Sequence, residues 1–326
     1  VADHTERIVI LSDTHLGKPK GGAVSVEALR PLWAGADRLV INGDVAEVND
    51  AALRGDAARQ VLKIEQFCEE DGVELTLISG NHDPLITDRR SLELHDGEVY
   101  LTHGDVLHPA ISPWTGHRGR LRFLNQRTHD ALSPEERAST QGDLAASAYA
   151  SHFTWDEMTR DHEHTQAGFV RRLFDMTGKL ARVFWYWQTL PRTASRYART
   201  HAPESRFFIF GHIHRAGVWK YGSRVVINTG AYGFPFRPHA VVIEAGRLVV
   251  WPIIYDAQAT TYGLGDTPVA QFDLTDHPRI TPGSPPDHPG PPLKLNQAAM
   301  GLVKSRSSSG TAFSAETGLL KRYPWP

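Results

Sequence analysis

Five short blocks of the sequence carry side chains that can bind metal or move protons. They are SDTHLG with Asp13 and His15, NGDVAE with Asp44, GNHDP with Asn81, His82 and Asp83, LTHGD with His103, and GHIH with His212 and His214. Asp, Asn and His form a mixed oxygen and nitrogen donor set that suits manganese, iron or zinc. Each block directly follows an apolar run, and in open α/β sheets ligands bind beyond the carboxyl ends of strands. Residues i and i+2 of an extended chain face the same way, so Asp13 with His15, and His212 with His214, can each offer two side chains to one region. Any single pair has a plainer reading, polar residues that merely finish a strand. Five blocks in this order would need five such coincidences, and a metal site accounts for them together.

The elements that must hold these blocks are legible in the same rows. RIVILS (7–12), RLVI (38–41), ELTLIS (74–79), EVYLT (98–102) and RFFIF (206–210) are short apolar runs that each end at one of the blocks, and RVVIN (224–228) ends in TGAYG. Helical spacing separates the early ones: VSVEALRPLW (24–33), then 51–70 with Leu53, Ala57, Val61, Ile64 and Phe67. Strands alternating with helices predict an α/β sheet protein. HAVVIE and RLVVWPI, joined by Ala245-Gly246, predict a closing hairpin. Asn228, Thr229 and Gly230 read as an ordinary turn, with a place at the site rim as the alternative.

From 106 to 206 the β pattern stops, which predicts a helical insertion. Ser133-Pro134-Glu135-Glu136 is a capping box, and Phe169, Leu173, Met176, Leu180 and Phe184 recur at amphipathic spacing. Residues 111–206 carry 14 Arg and Lys against 10 Asp and Glu, in a chain of net charge -2. The expected organisation is a catalytic domain over 1–256, interrupted by the insertion, then a proline-rich and disordered tail over 257–326. Net charge argues against a dedicated nucleic-acid or membrane-surface protein but not against a local basic patch. One cysteine, Cys68, excludes an internal disulfide and a thiolate cluster. No run approaches the length of a membrane span, and VADHTERIVI lacks the build of a signal peptide. A cytoplasmic protein, membrane-peripheral at most, is the expectation.

The order DTH, GD, GNHD, HG, GHIH over residues 13–214 resembles the calcineurin-like metallophosphoesterases. That resemblance implies a sandwich of two β-sheets flanked by helices and a centre of two divalent transition metals, manganese first, with iron or zinc as alternatives. Asp13, His15, Asp44 and His214 would hold one ion. Asp44, as bridging carboxylate, with Asn81, His103 and His212 would hold the other. His82 would act beside the leaving group, with Asp83 orienting it. The chemistry follows from charge: two ions neutralise a phosphoester and make hydroxide from water near neutral pH for in-line attack.

Within the family, SDTHLG, the acid of GDVAE, HGD and an insertion before GHIHR are most similar to UDP-2,3-diacylglucosamine pyrophosphatases. Two departures, His82 where those enzymes carry Arg and the lack of acids after HGD, leave architecture and reaction as what is carried over. The substrate expected is a small phosphodiester or pyrophosphate, lipid-linked or nucleotide-type molecules included, ahead of nucleic acid. A DNA-repair-type exonuclease, a phosphomonoesterase and a non-catalytic scaffold are the alternatives. The insertion leaves and re-enters beside the site, as a lid would. Its Arg118, Arg120, Arg122 and Arg127, then Lys179, Arg182, Arg192, Arg196 and Arg199 beside Phe184, Trp185, Tyr186 and Trp187, are substrate-binding candidates. Solvated helix faces and a lid core are the plainer reading. DHEH (161–164) reads as a solvated helix face rather than a further metal cluster.

Overall fold

The computed structural model describes residues 6–161, 169–233 and 236–274, with the backbone alone for 154–161, 169–179 and 181. The chain opens with β1 (Ile8–Leu11), α1 (Val26–Leu29), β2 (Arg38–Asn42), α2 (Arg54–Asp71) and β3 (Glu74–Ile78). β4 (Ser91–Leu94) and β5 (Val99–Thr102) follow. Four helices come next: α3 (Arg118–Ala131), α4 (Pro134–Arg137), α5 (Thr140–Asp161) and α6 (Phe169–His201). The chain returns through β6 (Phe207–Phe210), β7 (Gly217–Tyr221), β8 (Arg224–Asn228), β9 (His239–Glu244), β10 (Arg247–Asp256), β11 (Thr261–Leu264) and β12 (Ala270–Asp273).

The strands form two sheets. One runs β11-β10-β9-β1-β2-β3, with β12 also on β10, and its β1, β2 and β3 are parallel. The other runs β4-β5-β6-β8-β7, with β5, β6 and β8 parallel. Parallel strands covered on both faces read as unbroken apolar runs, and β1 shows why. Its Ile8 and Ile10 join the core between the sheets, with Leu101, Ile209 and Ile227 of the second sheet. Val9 and Leu11 face the other way, into a core with Ala57, Val61, Ile64 and Cys68 of α2. The outer face of the second sheet, Tyr100, Phe208, Phe210 and Val226, is covered by Tyr186, Leu190, Ala194 and Ala198 of α6. Spacing of four places those α6 residues on one face. The result is a two-sheet sandwich flanked by helices.

Ser133 caps α4 with the full capping box, and Ala245 and Gly246 both take positive φ, 51° and 70°, as a two-residue hairpin of this type requires. Three expectations change. β11 and β12 carry the first sheet to Asp273, past the boundary at 256, because β10 is long enough to pair β9 and β12 along its first half and β11 along its second. Residues 275–326 of the expected tail lie outside the described residues. β4 and β7 are edge strands whose exposed and half-buried positions broke the apolar signal. Leu180 and Phe184 are exposed on α6, so that stretch of the apolar stripe is not core.

Candidate metal centre

Ligand candidates emerge from the carboxyl ends of β1, β2, β3, β5 and β6, all on one edge of the sandwich. Local backbone conformation sets their direction. Asp13, His15, Asp44, His212 and His214 have φ of 49°, 44°, 50°, 68° and 58°, the left-handed region that costs a side-chain-bearing residue. Such strain persists only where the surroundings enforce it, and here it collects at one spot. Two glycines allow the close approach. A Cβ on Gly80 would collide with the Asp44 carboxylate, and one on Gly211 with the Asp13 carboxylate. Gly211→Ala is therefore expected to weaken metal binding at the Asp13 site on the order of 10–100-fold, read by titration calorimetry on chelator-treated protein.

The side chains fall into two sets that share one carboxylate. In the first, Asp13, His15, Asp44 and His214 bring a donor atom each within 4.8 Å of the others. His15 Nε2 and His214 Nε2 lie 3.0 Å apart, and His214 Nε2 is 3.5 Å from Asp13 Oδ1. In the second, His103 Nε2 is 3.3 Å from Asp44 Oδ2 and 3.2 Å from Asn81 Oδ1, which lies 2.7 Å from His212 Nδ1. Asp44 turns Oδ1 to the His82 backbone N–H at 2.8 Å and leaves Oδ2 between the sets, also 3.7 Å from His15 Nε2.

Three imidazoles are oriented through the nitrogen that faces away from the sets. His15 Nδ1 bonds Glu47 Oε1 at 2.9 Å, His103 Nδ1 bonds the Asn42 carbonyl at 3.1 Å, and His212 Nε2 bonds the Ile111 carbonyl at 3.0 Å. With those N–H groups spoken for, the converging nitrogens present lone pairs, the arrangement of metal-ligating histidines. Asp13 is backed in turn: Ser12 Oγ donates to Oδ2 at 2.5 Å, with Thr229 Oγ1 2.5 Å behind it. Thr229 thus has a supporting contact at the site beyond a plain turn.

Electrostatics point the same way. Burial raises the Asp13 carboxyl to about 7, Asp44 adding to this while His103 opposes it. Burial would raise Asp44 as well, but His103, His82 and His15 outweigh it and hold that carboxyl well below the usual range. Burial lowers His15 and His214, and with the His103 charge lowers His212 to about 4. Burial would lower His103 too, but Asp44 and Asp13 outweigh it and raise that imidazole well above its ordinary range, so a buried proton offsets the carboxylates where a bound cation otherwise would. The donor set fits divalent transition metals on these grounds.

Sequence reasoning paired His82 with Asp83, and the structure separates them. His82 Nδ1 bonds Glu47 Oε2 at 2.7 Å, so Glu47 orients both His15 and His82. Asp83 is fully buried and accepts the backbone N–H groups of Gly80, Asp44, Val45 and Ala46 at 2.7, 3.1, 2.5 and 3.4 Å. It pins the loop that carries Asp44 against the loop that carries Asn81. Asp83→Asn would turn an amide NH₂ toward those donors. It is expected to cost about 1–3 kcal/mol in a denaturant titration, a loss an orienting role alone would not produce.

A cleft of about 260 Å³ opens over the centre, lined by Asp44, Asn81, His82, His212 and His214 on one side. Ile111, Trp114, Leu121 and Ser151, all from the segment between β5 and β6, form the facing wall. Trp114 packs 5.4 Å from the His212 ring, centroid to centroid. None of Arg118, Arg120, Arg122, Arg182 or Arg192 lines the cleft. The helices turn their apolar faces inward, which carries Arg118, Arg122, Arg182 and Arg192 to solvent. The lining cation is Lys18, 3.3 Å from Glu47 Oε1. Lys18, Glu47 and Trp114 were missed as individual site residues. Lys18 stands three positions after His15, a spacing with no meaning until the loops fold, and Glu47, the acid of GDVAE, entered the sequence reading only as a mark of resemblance, without a role. Residues 162–164 of DHEH lie outside the described residues.

No protein-family model and no curated protein matches the chain. Solved structures do. Vacuolar protein sorting 29 from Cryptosporidium parvum is 12% identical, with 83% of this chain and 100% of that one covered at a TM-score of 0.40. A conserved uncharacterized protein from Streptococcus pneumoniae, titled a predicted phosphoesterase, is 16% identical over 81% and 99% at 0.33. A dimetal phosphatase from Danio rerio is 13% identical over 77% and 96% at 0.38.

Proposed function

We propose that the chain is a calcineurin-like metallophosphoesterase that hydrolyses a phosphodiester or pyrophosphate bond with two divalent metals, manganese first. The observation that carries this is the pair of ligand sets sharing Asp44, buried except for the half-buried His214. Asp13, His15, Asp44 and His214 would hold one ion, and Asp44, Asn81, His103 and His212 the other. When bound, the ions would neutralise phosphoryl charge and activate water.

The chain's own residues supply the rest. Glu47 fixes the Nδ1 side of His82, leaving Nε2 to donate a proton to the departing oxygen, and its negative charge favours the imidazolium. Burial lowers His82, but Asp44 and Glu47 outweigh it and raise its pKa above the ordinary value. Lys18 adds standing positive charge for the phosphoryl group. Trp114, Ile111 and Leu121 offer an apolar wall to the organic part of the ester and exclude water there. A reducing, cytoplasmic setting suits the single, buried Cys68.

A panel assay tests the reading: a phosphomonoester, a bis-aryl phosphodiester, nucleotide sugars and single-stranded DNA, each with manganese. Metal analysis should find about two ions per chain. Turnover of the diester or the nucleotide sugars is expected. Monoester preference would overturn the substrate class, DNA preference would point to a nuclease, and a metal-free, inert protein would point to a scaffold.

A further inference from the structure

One helix of the insertion carries a surface that the hydrolytic centre does not use. The inward side of α6 is the buried row Tyr186, Leu190, Ala194 and Ala198. At about 100° per residue, the opposite side holds Trp185, Arg192, Arg196 and Arg199, with Phe184 on the flank between the two sides and Leu180 at the edge of the inward row. Leu180, Phe184 and Trp185 are 63%, 62% and 70% exposed, and the three arginines are exposed as well. No Asp or Glu occurs from Leu180 to His201.

We propose that this face is an interfacial helix that docks the chain on an anionic phospholipid surface. Exposed apolar and aromatic side chains that begin two turns before a row of arginines match the two layers of such a surface, acyl boundary and phosphate headgroups. Exposing a Trp, a Phe and a Leu together to water is unfavourable, and their burial at the acyl boundary recovers that cost. The helix lies on the surface rather than through it, since no described helix is long and apolar enough to cross a membrane. A nucleic-acid strand fits less well, because the convex back of a helix has no groove to track successive phosphates.

The test is co-sedimentation of the full chain with phosphatidylcholine vesicles, with and without phosphatidylglycerol. Binding to the anionic vesicles is expected, weakening as salt is raised. The triple variant Leu180→Ser, Phe184→Ser, Trp185→Ser should bind at least about tenfold less. Arg196→Glu with Arg199→Glu should lose the preference for anionic lipid while keeping the wild-type circular dichroism spectrum. Absent binding, or variants that bind like wild type, would overturn the proposal. So would a wild-type dimer that the triple variant dissolves in light scattering, or tighter binding to single-stranded DNA. The outcome does not depend on the metal centre, so chelation should leave it unchanged.

Discussion

Asp44→Asn is expected to leave the protein with fewer than one ion per chain and to reduce turnover by at least about 10³-fold, well beyond the 10–100-fold typical of an outer-shell partner. The reason is the position of Oδ2 between the two sets, 3.3 Å from His103 Nε2 and 3.7 Å from His15 Nε2. Asparagine replaces a charge that both ions would share with a neutral amide, and one of its two positions becomes an NH₂ that repels a cation. If Asn places its oxygen at Oδ2, its NH₂ meets the His82 backbone N–H now bonded by Oδ1. Either orientation breaks a contact. Metal analysis with circular dichroism reads the result: ions lost with the fold retained. A variant that keeps two ions and full activity would refute the shared-carboxylate assignment.

His82→Gln should do the reverse, keeping both ions and losing rate selectively. His82 is not in either ligand set, yet it lines the cleft and is held by Glu47. Turnover of an alkyl phosphodiester should fall about 10²–10³-fold, the range of a general acid, while an aryl ester with a good leaving group falls little. The pH dependence carries the sign. A general acid works protonated, so with a poor leaving group the wild-type rate should fall as pH rises through the raised pKa of His82. That limb should vanish in the Gln variant. Equal losses on both substrates, or loss of metal, would show that His82 supports the site rather than the leaving group.

How far the sequence reached can be judged from single residues. Asp13, His15, Asp44, Asn81, His103, His212 and His214 could be singled out as candidates because each follows a β-rich run, and strand ends are where an α/β sheet gathers its polar groups. Ser133 through Glu136 announced their own helix start, and Ala245-Gly246 their hairpin, because both signals are local. Asp83 could not be read correctly. Its neighbour in sequence is His82, but its four partners are backbone N–H groups, three of them in residues 44–46 on another loop.

By itself, then, the sequence determined the strand-and-loop order, the metal-type donor set and the existence of a helical insertion. Those depend on periodicity and on residue chemistry within a few positions. Tertiary structure alone decided which strands share a sheet, since β1 is buried on both faces and its apolar run is silent about its partner. It alone gave His82 to Glu47 and Lys18 to the cleft. It also turned Arg182, Arg192, Arg196 and Arg199 of α6 outward, on the helix that exposes Phe184 and Trp185, because the inward face had a sheet to cover. These outcomes are settled by contacts between residues far apart in the chain, and no local pattern encodes them.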